Sequence, residues 1–147
     1  CVYGNPRWDD NELWTSMNHL YKSGMWFKKK SVLQAEGHYD TQKSADGSTD
    51  LRVTHKSYYN SNSSINSSGL PFATEANNYF YLPRLSYYSS GQLNSMGMFS
   101  DFWSSTAVSW DGLNAYRLEF AGSYVLVDYD SRAVGFRAQK FSDFGDN

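Results

Sequence analysis

The sequence predicts an α+β fold in which two helices pack on short twisted antiparallel β-sheets with long loops. Two observations predict it: apolar residues recur at helical spacing near the N-terminus, and apolar and polar residues alternate between residues 115 and 128. Polar stretches such as residues 60–69, which are nearly all Asn and Ser, indicate surface loops. A chain of 147 residues fits a single domain with its own core.

The first helix is predicted over residues 10–22. Asp9 and Asp10 are residue types that cap a helix, and Gly24 is a residue type that ends one. The apolar positions that define its buried side are Leu13, Trp14, Met17, Leu20 and Tyr21. Because these positions recur every three or four residues, one face of such a helix would be apolar.

The middle of the chain is predicted to contain short elements. A buried strand begins at residues 25–27, and a short strand follows over residues 51–54 after the turn pair Asp46-Gly47. Thr74 is a suitable cap for a second, short helix over residues 75–78. The chain is then predicted to be extended again over residues 79–83.

The clearest element is a β-hairpin formed by residues 115–120 and 124–128. The alternation predicts that Tyr116, Leu118 and Phe120 point into the core together with Val125 and Val127. The opposite, exposed side carries Arg117, Glu119, Tyr124, Leu126 and Asp128. Residues 134–138 are predicted to close the sheet as a further strand with Phe136 buried.

Charge and composition exclude several classes of protein. A net charge of -2 gives no broad attraction for phosphate backbones, so no nucleic-acid partner is expected. No apolar run reaches the roughly 18 residues that a membrane helix needs, so no membrane insertion is expected. A single cysteine excludes an internal disulfide. The aromatic content of 18% with abundant Ser and Gly is typical of binding surfaces, and equally of a small core filled with aromatic residues.

No catalytic or cofactor pattern is present in the sequence. His19, His38 and His55 lie far apart, without the spacing of a metal-binding helix. Calcium is the one metal to weigh, because Asp111, Asn114, Glu119 and Asp128 offer oxygen ligands. No ordered loop motif connects them, so solvated polar residues are favoured. We therefore expect no enzyme activity, no cofactor and no metal.

Several segments resemble a known family. The segments are 81–83 (Tyr-Leu-Pro), 89–93 (Ser-Ser-Gly-Gln-Leu), 102–106 (Phe-Trp-Ser-Ser-Thr), 114–120 (Asn-Ala-Tyr-Arg-Leu-Glu-Phe) and 132–137 (Arg-Ala-Val-Gly-Phe-Arg). Together they are similar to variable proteins of diversity-generating retroelements in bacteria and phages, related to the Fibrobacter succinogenes major paralogous domain family. The resemblance covers most of the chain from about Leu13 and implies a C-type lectin-like fold.

The resemblance also implies which residues bind a ligand. In this family an error-prone reverse transcript replaces adenines in the last segment, so that exposed positions vary while the framework stays fixed. Carried over, with Glu119 added from the exposed hairpin side, the ligand-binding positions are Phe99, Asp101, Val108, Asp111, Leu113, Arg117, Glu119, Ala121, Tyr124, Leu126, Asp128, Tyr129, Ala133 and Val134. Met98 and Glu119 depart from the pattern, because neither arises from an AAC codon by changing adenines. The implied scaffold comprises Trp103, Trp110, Tyr116, Leu118, Phe120 and Phe136.

The expected function is therefore recognition rather than chemistry. The resemblance implies a ligand-binding domain, the C-terminal module of a longer protein, that recognises a cell-surface protein or glycan. Its expected location is a phage virion tail or a bacterial cell surface, and the resemblance leaves a homo-oligomer open. The alternative is an undiversified glycan-binding adhesin module of a bacterial surface protein.

Overall fold

The computed structural model describes residues 2–16, 18–38, 43–44, 46–61, 65, 70–85, 87–90, 92–94 and 98–136. Its regular elements are β1 (Arg7–Ser16), β2 (His19–Lys28), α1 (Lys30–Ala35), β3 (Tyr58–Asn60), a 3-10 turn (Ala76–Asn78), β4 (Tyr79–Pro83), β5 (Tyr87–Ser89), β6 (Gln92–Asn94), β7 (Ser100–Ala107), β8 (Asn114–Ala121) and β9 (Tyr124–Ser131). The strands form three antiparallel sheets with the orders β1-β2-β4, β3-β9-β8-β7 and β5-β6.

The predicted α+β fold class with two helices is wrong, because the described residues are mostly antiparallel β-sheet. The C-type lectin-like arrangement of two helices on short sheets therefore does not describe this fold. The six residues of α1 form less than two helical turns. The second predicted helix is a single 3-10 turn at Ala76–Asn78, which leads directly into β4.

The first predicted helix is replaced by the hairpin of β1 and β2. Trp14 lies opposite Tyr21 across the two strands, and their rings stack with centroids 4.6 Å apart. Asn18 has a φ of 63°, a left-handed conformation that lets the chain reverse between the strands. Asp9 accepts hydrogen bonds from the backbone N–H groups of Asn11 (2.8 Å) and Glu12 (3.0 Å) where the register shifts. Cross-strand pairing thus brings Trp14 and Tyr21 together, whereas Leu13 and Leu20 remain exposed.

The two larger sheets meet through one aromatic core. Phe27 of β2 contacts Phe120 of β8 edge to face at 5.5 Å, and Phe120 stacks on Phe102 of β7 at 5.9 Å. The buried hydrophobic cluster comprises Val2, Trp8, Met25, Phe27, Tyr58, Ile65, Leu82, Phe102, Leu118, Phe120 and Val125. Residues 25–27 are confirmed as buried strand, since Met25 and Phe27 are fully buried, but they lie near the end of β2 and not at its start.

The predicted hairpin at residues 115–128 is confirmed. Strands β8 and β9 pair in the register Leu118 opposite Val127 and Phe120 opposite Val125. Tyr116, Leu118 and Phe120 are buried, and Val127 packs against the core. The alternation of the sequence therefore gives the correct face for each side chain of this hairpin.

Other sequence expectations are only partly met. Residues 51–54 form turns rather than a strand, whereas the turn at Asp46-Gly47 is present, with Gly47 at φ 70° and the Asp46 carboxylate accepting from the N–H of Thr49. Trp110 was expected in the scaffold but is 52% exposed. Residues 137–138 of the predicted closing strand lie outside the described residues, and Val134 lies in a bend.

Strand β7 is irregular at its centre. It pairs with β8 from Ser100 to Trp103, and the register then shifts before Ala107 pairs with Ala115. Between these paired positions, residues 104–106 of β7 lie opposite the single residue Tyr116 of β8, an irregularity of the β-bulge kind. Among the described strands, β7 forms one edge of its sheet and the three-residue β3 forms the other.

Candidate functional site

One side of the four-stranded sheet faces the core, and we call the opposite side the outer face. The register defines its members, because Arg117 lies opposite Asp128 and Glu119 lies opposite Leu126. The described side chains of the outer face are Tyr59, Asp101, Trp103, Ala115, Arg117, Glu119, Ala121, Tyr124, Leu126, Asp128 and Asp130. They come from all four strands and form one surface over the packed aromatic layer.

Half of the predicted ligand-binding positions belong to this outer face. They are Asp101, Arg117, Glu119, Ala121, Tyr124, Leu126 and Asp128. Asp101 is only 1% exposed, so its prediction as an exposed ligand contact does not fit. A second group, Asp111, Leu113, Ala133 and Val134, lies beyond one end of the sheet, in the β7–β8 connection and the turn after β9. The two segments are joined by a hydrogen bond from the Arg132 backbone N–H to the Leu113 carbonyl oxygen, 2.9 Å.

Three predicted positions lie elsewhere. Phe99 precedes β7 and is half-buried. Val108 is buried, with 4% of its surface exposed, which does not fit an exposed ligand contact. Tyr129 lies opposite Tyr116 and so on the core side, where its ring meets the His55 ring edge to face at 4.7 Å. Tyr129 nevertheless keeps 38% exposure, because it stands near the end of its strand.

Arg117 is the centre of the outer face. Its guanidinium forms ion pairs with Asp101 of β7 and Glu119 of β8, and its Nε lies 3.3 Å from Asp130 Oδ2 of β9. The Phe136 ring covers it, with the guanidinium carbon 5.5 Å from the ring centroid. Only 14% of the Arg117 side chain is exposed. The predicted solvent exposure of Arg117 is therefore wrong, because three carboxylates and an aromatic ring enclose it.

Asp101 is the most deeply buried member of this cluster. Only 1% of its surface is exposed, and this burial raises its pKa to about 6. The nearby carboxylates of Glu119 and Asp130 also raise the pKa, whereas the Arg117 guanidinium lowers it. A carboxyl group with such a pKa beside a second carboxylate has the protonation behaviour of an acid catalyst. Here, however, Arg117 binds both carboxylates and solvent does not reach Asp101, so the arrangement serves as an ion-pair network.

The raised pKa of Asp101 predicts a pH-dependent stability. Because the pKa of Asp101 is about 6 in the folded protein against an ordinary value of 3.8, its contribution to stability is fully present below pH 3.8 and is lost as pH rises through 6. The loss corresponds to about 3 kcal/mol, from roughly two pKa units. As pH rises from 4 to 8, the wild-type protein should lose unfolding free energy relative to Asp101→Asn. Denaturant unfolding of both proteins across this range measures the difference. Parallel pH profiles for the two proteins would contradict it.

An aromatic pair occupies the other half of the outer face. The ring of Tyr59 stacks on that of Tyr124 at 5.8 Å, and Tyr59 is 59% exposed. The Tyr124 hydroxyl donates to the Glu119 carboxylate, which joins the pair to the ion-pair network. Burial, followed by this hydrogen bond, raises the pKa of Tyr124, so the hydroxyl stays protonated at neutral pH. Rigid tyrosines with one free side are suited to ligand contact.

The oxygen ligands weighed for calcium have separate partners. Asp111 accepts a hydrogen bond from the Asn114 amide, whereas Glu119 binds Arg117 and Tyr124. Asp128 accepts from the Ser57 hydroxyl at 2.6 Å. Among the described residues, no group of three His, Cys, Asp or Glu side chains is arranged to hold a metal ion.

Four outer-face residues were not predicted as ligand contacts: Tyr59, Trp103, Ala115 and Asp130. Tyr59 reaches this surface because β3 pairs with β9, a long-range contact that no local pattern signals. Trp103 was assigned to the scaffold, but its register opposite Arg117 places it on the outer face, where its ring contacts Phe136 at 4.5 Å. Asp130 could have been found by extending the β9 alternation two residues beyond Asp128. The expectation of a buried Phe136 is met only in part, since that ring is half-buried on the outer face rather than in the core.

Comparison of the chain with protein-family models, with curated proteins and with solved structures found no match. Within the described ranges, no helix combines the length and apolar character required to cross a bilayer.

Proposed function

We propose that this protein is a ligand-binding domain that recognises a cell-surface protein or glycan through the outer face of its four-stranded sheet. The observation that carries the proposal is the convergence of the predicted positions. Arg117, Glu119, Tyr124, Leu126 and Asp128, chosen from alternation and resemblance, share one sheet face backed by buried Leu118 and Phe120. The domain performs no chemistry in this proposal.

The chemistry of the outer face suits recognition. Tyr59 and Tyr124 provide stacked rings that lose little conformational entropy on binding. On β9, Leu126 lies between Tyr124 and Asp128 and adds apolar area. Asp128 adds a negative charge. Such a mixture of aromatic anchors with charged neighbours is typical of binding hot spots.

Diversification by a retroelement belongs to the same proposal. Half-buried or exposed positions such as Leu113, Tyr124, Leu126 and Ala133 can change without opening a cavity in the core. Asp101 and Arg117 are less free to vary, because each depends on the other for charge compensation. A near-identical template repeat differing at adenines, beside a reverse transcriptase gene, would support this part. Without such a repeat, a fixed adhesin with the same surface is favoured.

Ligand binding should depend on Tyr124 and not on a comparable tyrosine of the other sheet. Tyr21 is the matched control, because it is also half-buried and also stacks on an aromatic neighbour, Trp14. We expect Tyr124→Ser to weaken binding by about tenfold or more and Tyr21→Ser to leave it unchanged. The measurement is binding to a glycan array and to immobilised cell-surface proteins, followed by titration of the strongest ligand.

Two results of this experiment would count against the proposal. Equal losses for Tyr124→Ser and Tyr21→Ser would place the binding surface elsewhere or indicate a general folding defect, which thermal unfolding of both variants distinguishes. Full binding by Tyr124→Ser would remove the outer face as the recognition surface. Repeating the array with a chelator tests for calcium, because binding that is insensitive to the chelator does not use the metal.

A further inference from the structure

A shallow groove of about 280 Å³ lies beside the outer face at the irregular part of β7. It lies along the interval between Trp103 and Ala107, where the register of β7 and β8 shifts. Its lining includes the Trp103 ring, the residues Ser104, Ser105 and Thr106, and Arg132. The volume falls just below the roughly 300–1,000 Å³ of sites for drug-sized ligands, so the groove suits one small ring rather than a long chain.

Arg132 gives this groove its charge. Its Nε donates to the Asn114 carbonyl oxygen at 3.2 Å, which fixes the guanidinium at the end of β8. In the part of the chain that the structure describes, no carboxylate forms an ion pair with Arg132. This differs from Arg117, which three carboxylates surround. An arginine with unused N–H donors beside a groove is complementary to a ligand carboxylate.

The remaining lining fits the rest of a sugar. Trp103 presents an aromatic ring that its contact with Phe136 holds in place, and a ring of this kind packs against the C–H face of a pyranose. Ser105 and Thr106 carry hydroxyls that both donate and accept, as sugar hydroxyls require. Aromatic ring, hydroxyls and uncompensated cation thus occur together in one small groove.

We propose that this groove binds a carboxylate-bearing sugar, with Arg132 holding the carboxylate and Trp103 the ring. The inference rests on the proposed ligand-binding function and names the ligand class. None of the lining residues belongs to the predicted variable positions. The groove therefore supplies a constant subsite beside a surface whose other contacts differ between variants.

The test titrates the protein with defined small probes by calorimetry and saturation-transfer NMR. The probes are the methyl glycosides of N-acetylneuraminic acid and glucuronic acid, neutral methyl glucoside, and sodium acetate. We expect at least one acidic sugar to bind about tenfold or more tightly than both methyl glucoside and acetate. Methyl glucoside lacks the carboxylate for Arg132, and acetate lacks the sugar ring for Trp103. The sugar that binds identifies which acidic class the groove accepts.

Two variants localise the binding. Arg132→Gln should weaken the acidic sugar about tenfold or more, since it removes the charge and keeps a hydrogen-bonding amide. Lys22→Gln removes an exposed positive charge from β2 in the other sheet and should leave binding unchanged. Thermal unfolding of Arg132→Gln confirms that the fold is retained.

Several outcomes would overturn the inference. Equal binding of acetate and acidic sugar would make the groove a simple anion site, and equal binding of neutral and acidic sugars would remove the role of Arg132. Unchanged affinity in Arg132→Gln would place the sugar elsewhere. The array experiment with Tyr124→Ser is independent of these titrations. If that variant loses binding on the array while one of these titration results is found, the proposed function stands and only the acidic-sugar inference fails.

Discussion

Replacing Arg117 with alanine should lower the free energy of unfolding at pH 7 by about 3–5 kcal/mol, the cost of removing one partner from a buried ion pair. The variant leaves Asp101 almost fully buried beside Glu119 and Asp130 without a compensating charge. Below pH 6 the loss should shrink, because the pKa of Asp101 is already raised to about 6 and the carboxyl becomes neutral. Denaturant unfolding at pH 5 and pH 7 measures both effects.

Two further variants test the reason for this loss. Arg52→Ala removes an arginine whose side chain is 57% exposed and paired with Asp50, and it should change stability little. The double variant Asp101→Asn with Arg117→Met should be more stable than Arg117→Ala, because it removes the uncompensated charge together with the arginine. A loss in Arg117→Ala that is equal at both pH values, and unrelieved in the double variant, would indicate lost packing instead.

Phe120→Ala should destabilise the protein by about 3–5 kcal/mol, the usual cost of truncating a fully buried aromatic side chain. Phe120 has no exposed surface and contacts Phe27 of the three-stranded sheet and Phe102 of the neighbouring strand β7 in its own sheet. Its removal would therefore open a cavity where the two larger sheets meet. Urea unfolding followed by tryptophan fluorescence provides the measurement.

Leu113→Ala is the control for Phe120→Ala. Leu113 is 77% exposed in the β7–β8 connection, so truncating it should leave the unfolding midpoint nearly unchanged. A loss below about 1 kcal/mol for Phe120→Ala would mean that the two sheets do not share one core, contrary to the packing described above. Similar losses of stability in Phe120→Ala and Leu113→Ala would also contradict a core shared by the two sheets.

The fold could be predicted where one face of a strand is buried and the other is not. Residues 115–128 alternate strictly, so the sequence predicts the faces of Leu118 and Phe120 correctly. The predicted N-terminal helix is wrong because Trp14 and Tyr21, which fit helical spacing, also pair with each other across a hairpin. Short apolar runs fit both periods, and tertiary pairing decides between them.

The candidate site could be predicted only in part, for a related reason. Leu126 and Asp128 lie in a local alternating pattern, so their face follows from the sequence. The enclosure of Arg117 does not, because its partners Asp101 and Asp130 come from two other strands. Tyr59 escaped prediction because its strand has three residues and joins the sheet through distant β9.

The irregular centre of β7 also affects how this protein meets copies of itself. A straight edge strand offers a continuous row of backbone donors and acceptors on which another chain can add a strand. The bulge after Trp103 interrupts that row, and the opposite edge offers only the short run Tyr58–Asn60. The irregularity that borders the groove thus also interrupts this edge, so a regular β7 would leave a continuous edge open to strand addition.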